Sequence, residues 1–195
     1  MIILASKSPR RQQLLLESGF EFMVREYEVD ETYPSNLKGH EVVCYLADKK
    51  AEAFPEDLSV HILITADTIV CLDGEILNKP KDEHDAIDML ARLSGRKHEV
   101  YTGVCLKTGN RKEVFYECTE VYFKNLMLDE IRTYVKHYKP FDKAGSYGIQ
   151  DWVGYIGIEK ICGCYYNVMG LPVSRLYKEL RAFNPKMKYM SIDMI

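Results

Sequence analysis

The chain begins with Met1-Ile2-Ile3-Leu4-Ala5-Ser6-Lys7-Ser8-Pro9-Arg10-Arg11, and a helix-like segment runs from Pro9 to Glu17. The apolar residues at the start predict a buried strand. Ser8 followed by Pro9 is a typical helix start, because serine caps the first free amides and proline suits the first helical position. Gly19 is expected to end this helix. A strand, loop and helix opening of this kind is typical of α/β proteins.

The rest of the chain alternates helix and strand signals before it turns to hairpins. Asp73-Gly74 is a strong two-residue turn signal, and Thr108-Gly109-Asn110 marks a second hairpin. Further elements are predicted as a strand over 60–65 and helices over 40–54, 82–93, 129–137 and 174–183. The pattern predicts an α/β fold with a mixed twisted sheet and flanking helices. Neither a repeat nor a composition break divides the chain, so one domain over residues 1–195 is expected.

Composition excludes several classes of protein. The 195 residues are 47% hydrophobic, and 26 Lys and Arg stand against 29 Asp and Glu for a formal charge of −3. No global positive field therefore attracts nucleic acid, and no stable nucleic-acid partner is expected. The first apolar run is too short for a signal peptide, and no run is long enough to span a bilayer, so we expect a cytoplasmic protein without a membrane partner. The oligomeric state stays open, with a homodimer among the options.

The first chemical hypothesis concerns the start of the predicted helix. Arg10 and Arg11 fall in its first turn, where the helix dipole disfavours cations. Together with the hydroxyls of Ser6 and Ser8 and the free helix amides, they would make a phosphate cradle. A solvated basic helix end explains the same residues equally well.

Acidic residues supply a second hypothesis, a site for a divalent cation. Asp67 follows a buried strand, and a buried carboxylate needs a partner such as Mg²⁺, Lys or Arg. Glu31 could supply a second hard oxygen ligand. The alternatives are a turn-forming aspartate and a solvated acidic surface. Lys50 and Lys79 are, by themselves, ordinary surface lysines.

Known catalytic signatures are missing from the sequence. Neither the Walker nor the dinucleotide-binding glycine pattern occurs, which argues against a P-loop NTPase and a Rossmann dehydrogenase. The histidines have no metal-binding spacing, and no G-x-S-x-G motif is present. Protease and esterase functions therefore lose support. The six cysteines are scattered singly apart from Cys162-Gly163-Cys164, so we expect mostly reduced core thiols, with an oxidisable pair at Cys162 and Cys164 as the alternative.

Seven ordered motifs between Ile3 and about Leu180 resemble the Maf family. They are Leu4 to Arg11, Leu46-Ala47-Asp48-Lys49-Lys50-Ala51, Ala66-Asp67-Thr68, Lys79-Pro80, Leu93-Ser94-Gly95-Arg96 through Thr102-Gly103-Val104, Asp142 to Gln150, and Asn167 to Pro172. The resemblance implies a fold related to the inosine triphosphatases, in which two lobes enclose a nucleotide cleft. It also implies a nucleoside triphosphate diphosphatase that uses Mg²⁺ or Mn²⁺.

The same resemblance implies a substrate and a role for each site residue. The substrate would be dTTP or UTP, or a modified pyrimidine nucleotide in a house-cleaning role, converted to the monophosphate and pyrophosphate. Asp67 would be the general base; as a ligand of the metal it would be joined by Glu31, which the acidic residues by themselves suggest. The remaining positions bind phosphate (Ser6, Arg10, Arg11, Lys50, Lys79) or set base specificity (Arg10, Thr68, Gln150). The sequence departs from the family pattern at Lys7, Asp151 and Cys164.

Two other functions compete with hydrolysis. Members of the family are also associated with septum formation, so a nucleotide-binding regulator of cell division without significant turnover is one alternative. Such a regulator has no need of Asp67 and Glu31 facing a triphosphate, whereas a hydrolase needs hard oxygen ligands. A single-stranded nucleic-acid binder could stack bases on some of the 14 tyrosines, but the net charge of −3 disfavours it.

Overall fold

A computed structural model of the chain describes residues 1–184. In chain order the helices and strands are β1 (Ile2–Ala5), α1 (Pro9–Glu17), β2 (Phe22–Arg25), α2 (His40–Glu52), β3 (Ile62–Leu72), β4 (Glu75–Leu77), α3 (Glu83–Leu93), β5 (Lys97–Lys107), β6 (Lys112–Phe123), α4 (Leu128–Tyr138), a 3-10 turn (Ala144–Ser146), α5 (Trp152–Gly157), β7 (Ile158–Cys162), α6 (Tyr165–Met169) and α7 (Val173–Phe183).

The sheet contains both parallel and antiparallel pairs. Its strand order is β2-β1-β3-β5-β6-β7, and β4 pairs with β3 off this path. Strand β1 runs parallel to β2 and to β3, while β4 is antiparallel to β3 and β7 is antiparallel to β6. The prediction of an α/β fold with a mixed sheet and flanking helices is confirmed.

The chain divides into two compact units. The first comprises residues 1–67, 102–117 and the part from Gly170 onward; the second comprises residues 68–101 and 118–169. A core of the first unit is formed by buried residues of β1, α2, β3 and β5 and the nearby Leu58, namely Ile3, Ala5, Ala47, Ala51, Leu58, Leu63 and Cys105. The core of the second unit centres on α3, α4 and the strands around them, and Leu90, Leu93, Ile131 and Tyr134 are members.

Local signals in the sequence are confirmed at several element ends. Helix α1 has the predicted bounds, and Ser8 caps it by accepting a hydrogen bond from the Arg11 amide. The turn between β3 and β4 has φ values of 52° at Asp73 and 85° at Gly74, as a two-residue hairpin turn with both central residues left-handed requires. Asp82 caps α3 by accepting from the Asp85 amide at 2.9 Å.

Short elements are where the structure departs from the sequence-based expectations. The glycine-punctuated stretch 145–170 contains α5, β7 and α6, which we did not predict, and β2 was also missed. Strand β7 forms because residues 158–162 pair with β6. A pairing between distant segments leaves no periodic pattern in the local sequence from which it could be predicted. Helix α2 ends at Glu52 rather than at Phe54, and the strand expected over 60–65 continues to Leu72.

Neither a membrane-spanning helix nor a disulfide bond occurs in the described part of the chain. Between residues 1 and 184, no helix combines the length and the apolar character that crossing a bilayer demands. All six cysteines are free thiols. Cys71 and Cys105 are buried, whereas Cys162 is exposed, so the thiols are not mainly core residues.

Candidate active site

The loop between β1 and α1 forms one wall of the candidate site in the first unit. Ser6 is buried, with 8% of its surface exposed, and its Oγ accepts hydrogen bonds from the Ser8 amide at 3.2 Å and from Arg11 Nη1 at 3.5 Å. Because the oxygen accepts both bonds, the hydroxyl proton of Ser6 can donate to an anion. The hydroxyl is therefore held in place before any ligand binds.

Arg11 connects this loop to two other segments of the first unit. Its Nε donates to the Gly170 carbonyl at 2.7 Å, and its Nη1 donates to the Ala66 carbonyl at 3.0 Å. Burial lowers the pKa of the Arg11 guanidinium; nearby Asp67 opposes this, whereas Arg10 adds to it. An arginine stays charged in spite of such a shift. Arg11 thus places a fixed positive charge beside Ala66, the residue before Asp67 in β3.

Lys50 lies between two carboxylates at the centre of the site. Its Nζ is 2.7 Å from Glu31 Oε1 and 2.6 Å from Asp67 Oδ1. The side chains of Lys50 and Asp67 are only 15% and 13% exposed, whereas Glu31 is 53% exposed. We call Arg11, Glu31, Lys50 and Asp67 the charged cluster. Asp67 lies within β3 rather than after a strand, and it is a partly buried, paired carboxylate, so the alternative of a turn-forming aspartate loses support.

Three contacts hold helix α2, and with it Lys50, against the sheet. The hydroxyl of Thr65, two residues before Asp67, donates to the Ala47 carbonyl at 2.6 Å. A side chain at Gly103 would come within 2.4 Å of the Val43 carbonyl oxygen, so only glycine permits this approach of α2 to β5. The hydroxyl of Tyr27 donates to the Lys50 carbonyl. The distance between the charges of the cluster therefore depends on tight backbone packing.

The residues of the cluster suit a divalent cation. Two carboxylates converge on one cationic group, and carboxylate oxygens are what Mg²⁺ and Mn²⁺ prefer. Across residues 1–184, no group of three or more His, Cys, Asp or Glu side chains is arranged to hold a metal ion. A site with two carboxylates fits the usual binding of Mg²⁺, in which substrate phosphates and water complete the coordination.

The remaining predicted residues are divided between the units. Arg10 is half-buried in the first turn of α1, in the first unit. Thr68, Lys79 and Gln150 belong to the second unit. Lys79 is exposed after β4, and the carbonyl of the preceding Asn78 accepts from the Gly145 amide at 3.2 Å. The convergence of all these side chains on one nucleotide stays a prediction.

Gln150 lies in a tight turn that we call the Gln150 turn, residues 147–151. Tyr147 and Ile149 are each 5% exposed and belong to the core of the second unit. The Gln150 Oε1 atom is buried and accepts no hydrogen bond from the described part of the chain. A buried acceptor without a partner is costly, so this atom calls for a donor from a ligand or water.

Several functional candidates escaped the sequence-based reasoning. Thr65 and Gly103 support α2, and their only signal was their place next to the Ala66-Asp67-Thr68 motif and inside the Thr102-Gly103-Val104 motif. Tyr134 was missed because a tyrosine on an amphipathic helix is normally a core residue. Its hydroxyl bonds to Asp151, one of the departures from the family pattern.

The other two departures from the family pattern, Lys7 and Cys164, make their contacts outside the charged cluster. Lys7 is exposed and pairs with Glu28 at 3.4 Å. The backbone of Cys164 forms two hydrogen bonds with Thr119: its amide donates to Thr119 Oγ1, and its carbonyl accepts from the same hydroxyl. Neither side chain contacts the charged cluster through these bonds.

Curated relatives resemble the chain along almost its whole length. A dTTP/UTP pyrophosphatase of Bacteroides fragilis is 50% identical over 186 residues, which cover 92% of this chain and 94% of the relative. A dTTP/UTP pyrophosphatase of Cytophaga hutchinsonii is 48% identical over 193 residues, covering 98% of this chain and 88% of the relative.

The Ham1 protein of Staphylococcus aureus matches with a TM-score of 0.49 and 14% identity, over 94% of this chain and 99% of that one. A HAM1 protein from Coxiella burnetii matches with a TM-score of 0.41 and 14% identity, over 63% of this chain and 72% of that one. The family model described as Maf-like protein matches residues 1–183. Because this model covers most of the chain, and because a relative is 50% identical over 92% of the chain, the chain belongs to the Maf family.

Proposed function

We propose that this protein hydrolyses dTTP and UTP to the monophosphate and pyrophosphate with the help of Mg²⁺ or Mn²⁺. The observation that carries the proposal is the charged cluster, where Asp67 and Glu31 converge on Lys50 in the same unit as the Ser6 hydroxyl. The choice of substrate is supported by relatives named dTTP/UTP pyrophosphatase that are 50% and 48% identical to this chain.

Asp67 is the residue proposed to activate water. In this structure its Oδ1 accepts a hydrogen bond from Lys50, and one of the two carboxylate oxygens of Asp67 would take the proton from the attacking water. The water would attack the α-phosphorus, the bond from that phosphorus to the bridging oxygen would break, and pyrophosphate would leave with the electron pair. The low exposure of Asp67 limits competition from bulk solvent.

Positive charge in the site would oppose the charge that develops on the phosphates. Lys50 and Arg11 lie in the charged cluster, and Ser6 offers a hydroxyl donor close to Arg11. Electrostatic groups fixed before reaction contribute most where charge grows in the transition state. Arg10 and Lys79 are proposed as further phosphate ligands.

Glu31 and Asp67 would hold the metal ion. When bound, a divalent cation supplies positive charge against the phosphate oxygens and makes a nearby water more acidic. Lys50 occupies the point between the two carboxylates, so substrate binding would move its ammonium from the carboxylates towards a phosphate. This exchange explains why a lysine and two carboxylates stand together in the site.

The rival function, a nucleotide-binding regulator of septum formation without turnover, is not favoured. The curated relatives are named for catalysis rather than for cell division. A protein that only binds nucleotide has no need of a carboxylate of 13% exposure that is held beside a lysine. The rival would gain support from tight nucleotide binding in the absence of any turnover.

The deciding experiment is an assay of products with UTP, dTTP, CTP and GTP in the presence of Mg²⁺. We expect UMP plus pyrophosphate from UTP, incorporation of labelled water oxygen into UMP, and loss of activity on adding EDTA. Release of UDP and orthophosphate would contradict the proposed bond cleavage. Activity unchanged by EDTA, in protein purified with chelator, would contradict the metal requirement while leaving the reaction itself in place.

A further inference from the structure

The hydroxyl of Tyr134 holds the Gln150 turn through two hydrogen bonds. Tyr134 is fully buried on α4, and its hydroxyl donates to Asp151 Oδ2 at 2.7 Å. The hydroxyl oxygen of Tyr134 also accepts from the Gly148 amide at 3.1 Å. One hydroxyl therefore bonds to the chain two residues before Gln150 and one residue after it.

Asp151 uses its carboxylate in an unusual way for its position. It is the N-cap residue of α5, yet its side chain makes no capping hydrogen bond. An aspartate at this position normally accepts from an amide in the first helical turn. Here the carboxylate faces Tyr134, with Lys143 Nζ at 3.9 Å, and the Asp151 amide donates to the Gly148 carbonyl at 3.0 Å. Asp151 thus serves the turn rather than the helix.

The Gln150 amide lies against the backbone at Gly148. A Cβ atom at Gly148 would be 3.0 Å from Gln150 Nε2 and 2.6 Å from Asp151 Oδ2. Gly148 is not among the residues with positive φ, so space, and not backbone conformation, requires glycine here. The absent side chain makes room for the amide and the carboxylate together.

The amide is left with one buried acceptor for a ligand. Gln150 Oε1 accepts no hydrogen bond within the described chain, although solvent does not reach it. Burial raises the pKa of Tyr134, with the Asp151 hydrogen bond adding to the effect, so its hydroxyl remains a donor. The network can therefore keep one orientation of the turn across the physiological pH range.

We propose that Tyr134 and Asp151 are positioning residues that fix the Gln150 amide for reading the N3–H and O4 edge of uracil or thymine. This inference rests on the proposed function. The amide oxygen accepts from N3–H and the amide nitrogen donates to O4, a pair that only the correct amide orientation can offer. Base preference is then set partly by two residues that do not contact the base.

A double-mutant cycle tests the coupling between Tyr134 and Gln150. Tyr134→Phe should lower kcat/KM for UTP and dTTP about tenfold, mainly through KM, with a smaller loss for CTP. In a Gln150→Ala background the same substitution should have less than about a twofold effect. Tyr138→Phe is the matched control, because Tyr138 stacks on Tyr134 at 5.1 Å and is 46% exposed. Equal losses from Tyr134→Phe in both backgrounds would overturn the inference.

Asp151 variants provide a second test, which does not depend on whether the Tyr134→Phe variant folds. Asp151→Ala should reproduce the loss of UTP preference, and Asp151→Asn, which keeps an acceptor oxygen, should restore most of it. Thermal unfolding is measured for each variant at the same time. If Asp151→Ala and Asp151→Asn have the same base preference as the unchanged protein, the positioning role is wrong.

An NMR measurement separates this inference from the proposed function. The side-chain amide signals of Gln150, assigned with Gln150→Ala, should shift in Tyr134→Phe but not in Tyr138→Phe. Signals that stay in place in Tyr134→Phe would contradict positioning even in an active enzyme. Absence of pyrophosphate release by the unchanged protein would contradict the proposed function, and with it the base-reading role, whatever the amide signals show.

Discussion

The charged cluster of the first unit and the Gln150 turn of the second unit organise polar groups in opposite ways. In the charged cluster, ionic side chains neutralise one another, with Lys50 within 2.7 Å of Glu31 and 2.6 Å of Asp67. In the Gln150 turn, one tyrosine hydroxyl holds the chain by bonding to the Asp151 carboxylate and to the Gly148 amide, and the buried acceptor Gln150 Oε1 is left without a partner in the described chain. The first arrangement suits chemistry on phosphates, and the second suits reading an uncharged base.

This difference predicts two classes of substitution. Changes in the charged cluster remove charge from the site of chemistry, so they should act on kcat for every nucleotide alike. Changes in the Gln150 turn alter hydrogen-bond geometry, so they should act on the preference among bases.

The largest effect is expected for Asp67→Asn. The amide is nearly isosteric but cannot accept a proton, and it is a weaker ligand for Mg²⁺, so kcat should fall about a thousandfold for all substrates. The fold should survive, because the carbonyl oxygen of the new side chain can still accept the Lys50 hydrogen bond seen at 2.6 Å for Asp67. Steady-state kinetics and thermal unfolding are measured together.

Lys49→Ala is the matched control for this change. Lys49 neighbours Lys50 on α2 but pairs with Asp30 at 3.0 Å, outside the charged cluster. Its loss should leave kcat within about twofold, since exposed ion pairs contribute little. A near-normal kcat for Asp67→Asn would mean that Asp67 only shapes the chain, and the contrast between the two regions would lose its catalytic meaning.

The next effect concerns stability, and it tests whether the second unit tolerates charge. His98 is 1% exposed, contacts Tyr147 and Phe123, and lies within hydrogen-bond distance of the Tyr147 hydroxyl. Burial lowers the pKa of His98 to about 4. In the unfolded chain the pKa returns to about 6.5, so the unfolded state binds the proton more readily. The stability due to neutral His98 is therefore complete above about pH 6.5 and lost as the pH falls towards 4.

The expected size of this loss is about 3 kcal/mol of unfolding free energy between pH 7 and pH 4. Urea unfolding of the unchanged protein and of His98→Leu at several pH values isolates the contribution, because carboxylates titrate alike in both. The difference in stability between the two should change on acidification, with the unchanged protein losing more. A difference that stays constant with pH would show that His98 does not titrate in this range.

The sequence predicted the charged cluster better than the Gln150 turn, and the reason is physical. The apolar run before Asp67 placed its carboxylate next to buried chain, and a buried carboxylate must find a partner, so burial and charge together indicated Lys, Arg or a metal. Helix α1 carried its own start signal at Ser8 and Pro9. These inferences needed only neighbours in the chain.

Tyr134 and Asp151 illustrate what sequence reasoning could not supply. They are 17 residues apart, and their bond forms only when α4 packs beside the turn. Strand β7 likewise requires its partner β6, and a five-residue strand has too few positions for a periodic pattern. The Maf motifs pointed to Gln150, but nothing local revealed which residues hold the turn around it.

Gln150→Glu comes next in size and acts on base preference. A carboxylate offers acceptors only, so it cannot donate to O4 of uracil or thymine. An unpaired polar edge costs about 1–3 kcal/mol, and kcat/KM for UTP and dTTP should fall about ten- to a hundredfold. Kinetics on UTP, dTTP, CTP and GTP provide the test. A uniform loss for all four bases would show that Gln150 supports the phosphates or the fold instead.

The smallest effect is expected for Lys7→Ala, although Lys7 lies in the loop between β1 and α1, next to Ser6, and departs from the family pattern. Its side chain is 58% exposed and pairs with Glu28, which is 93% exposed, at 3.4 Å. An ion pair so open to solvent contributes little, so kcat/KM should change by less than about threefold for every nucleotide. Glu28→Ala is the matched partner variant and should behave in the same way. Kinetics at low and high salt reveal any long-range attraction of the triphosphate, which salt would screen. A loss above tenfold that persists in high salt would mean that Lys7 turns towards the phosphates on binding, and the charged cluster would then need to include it.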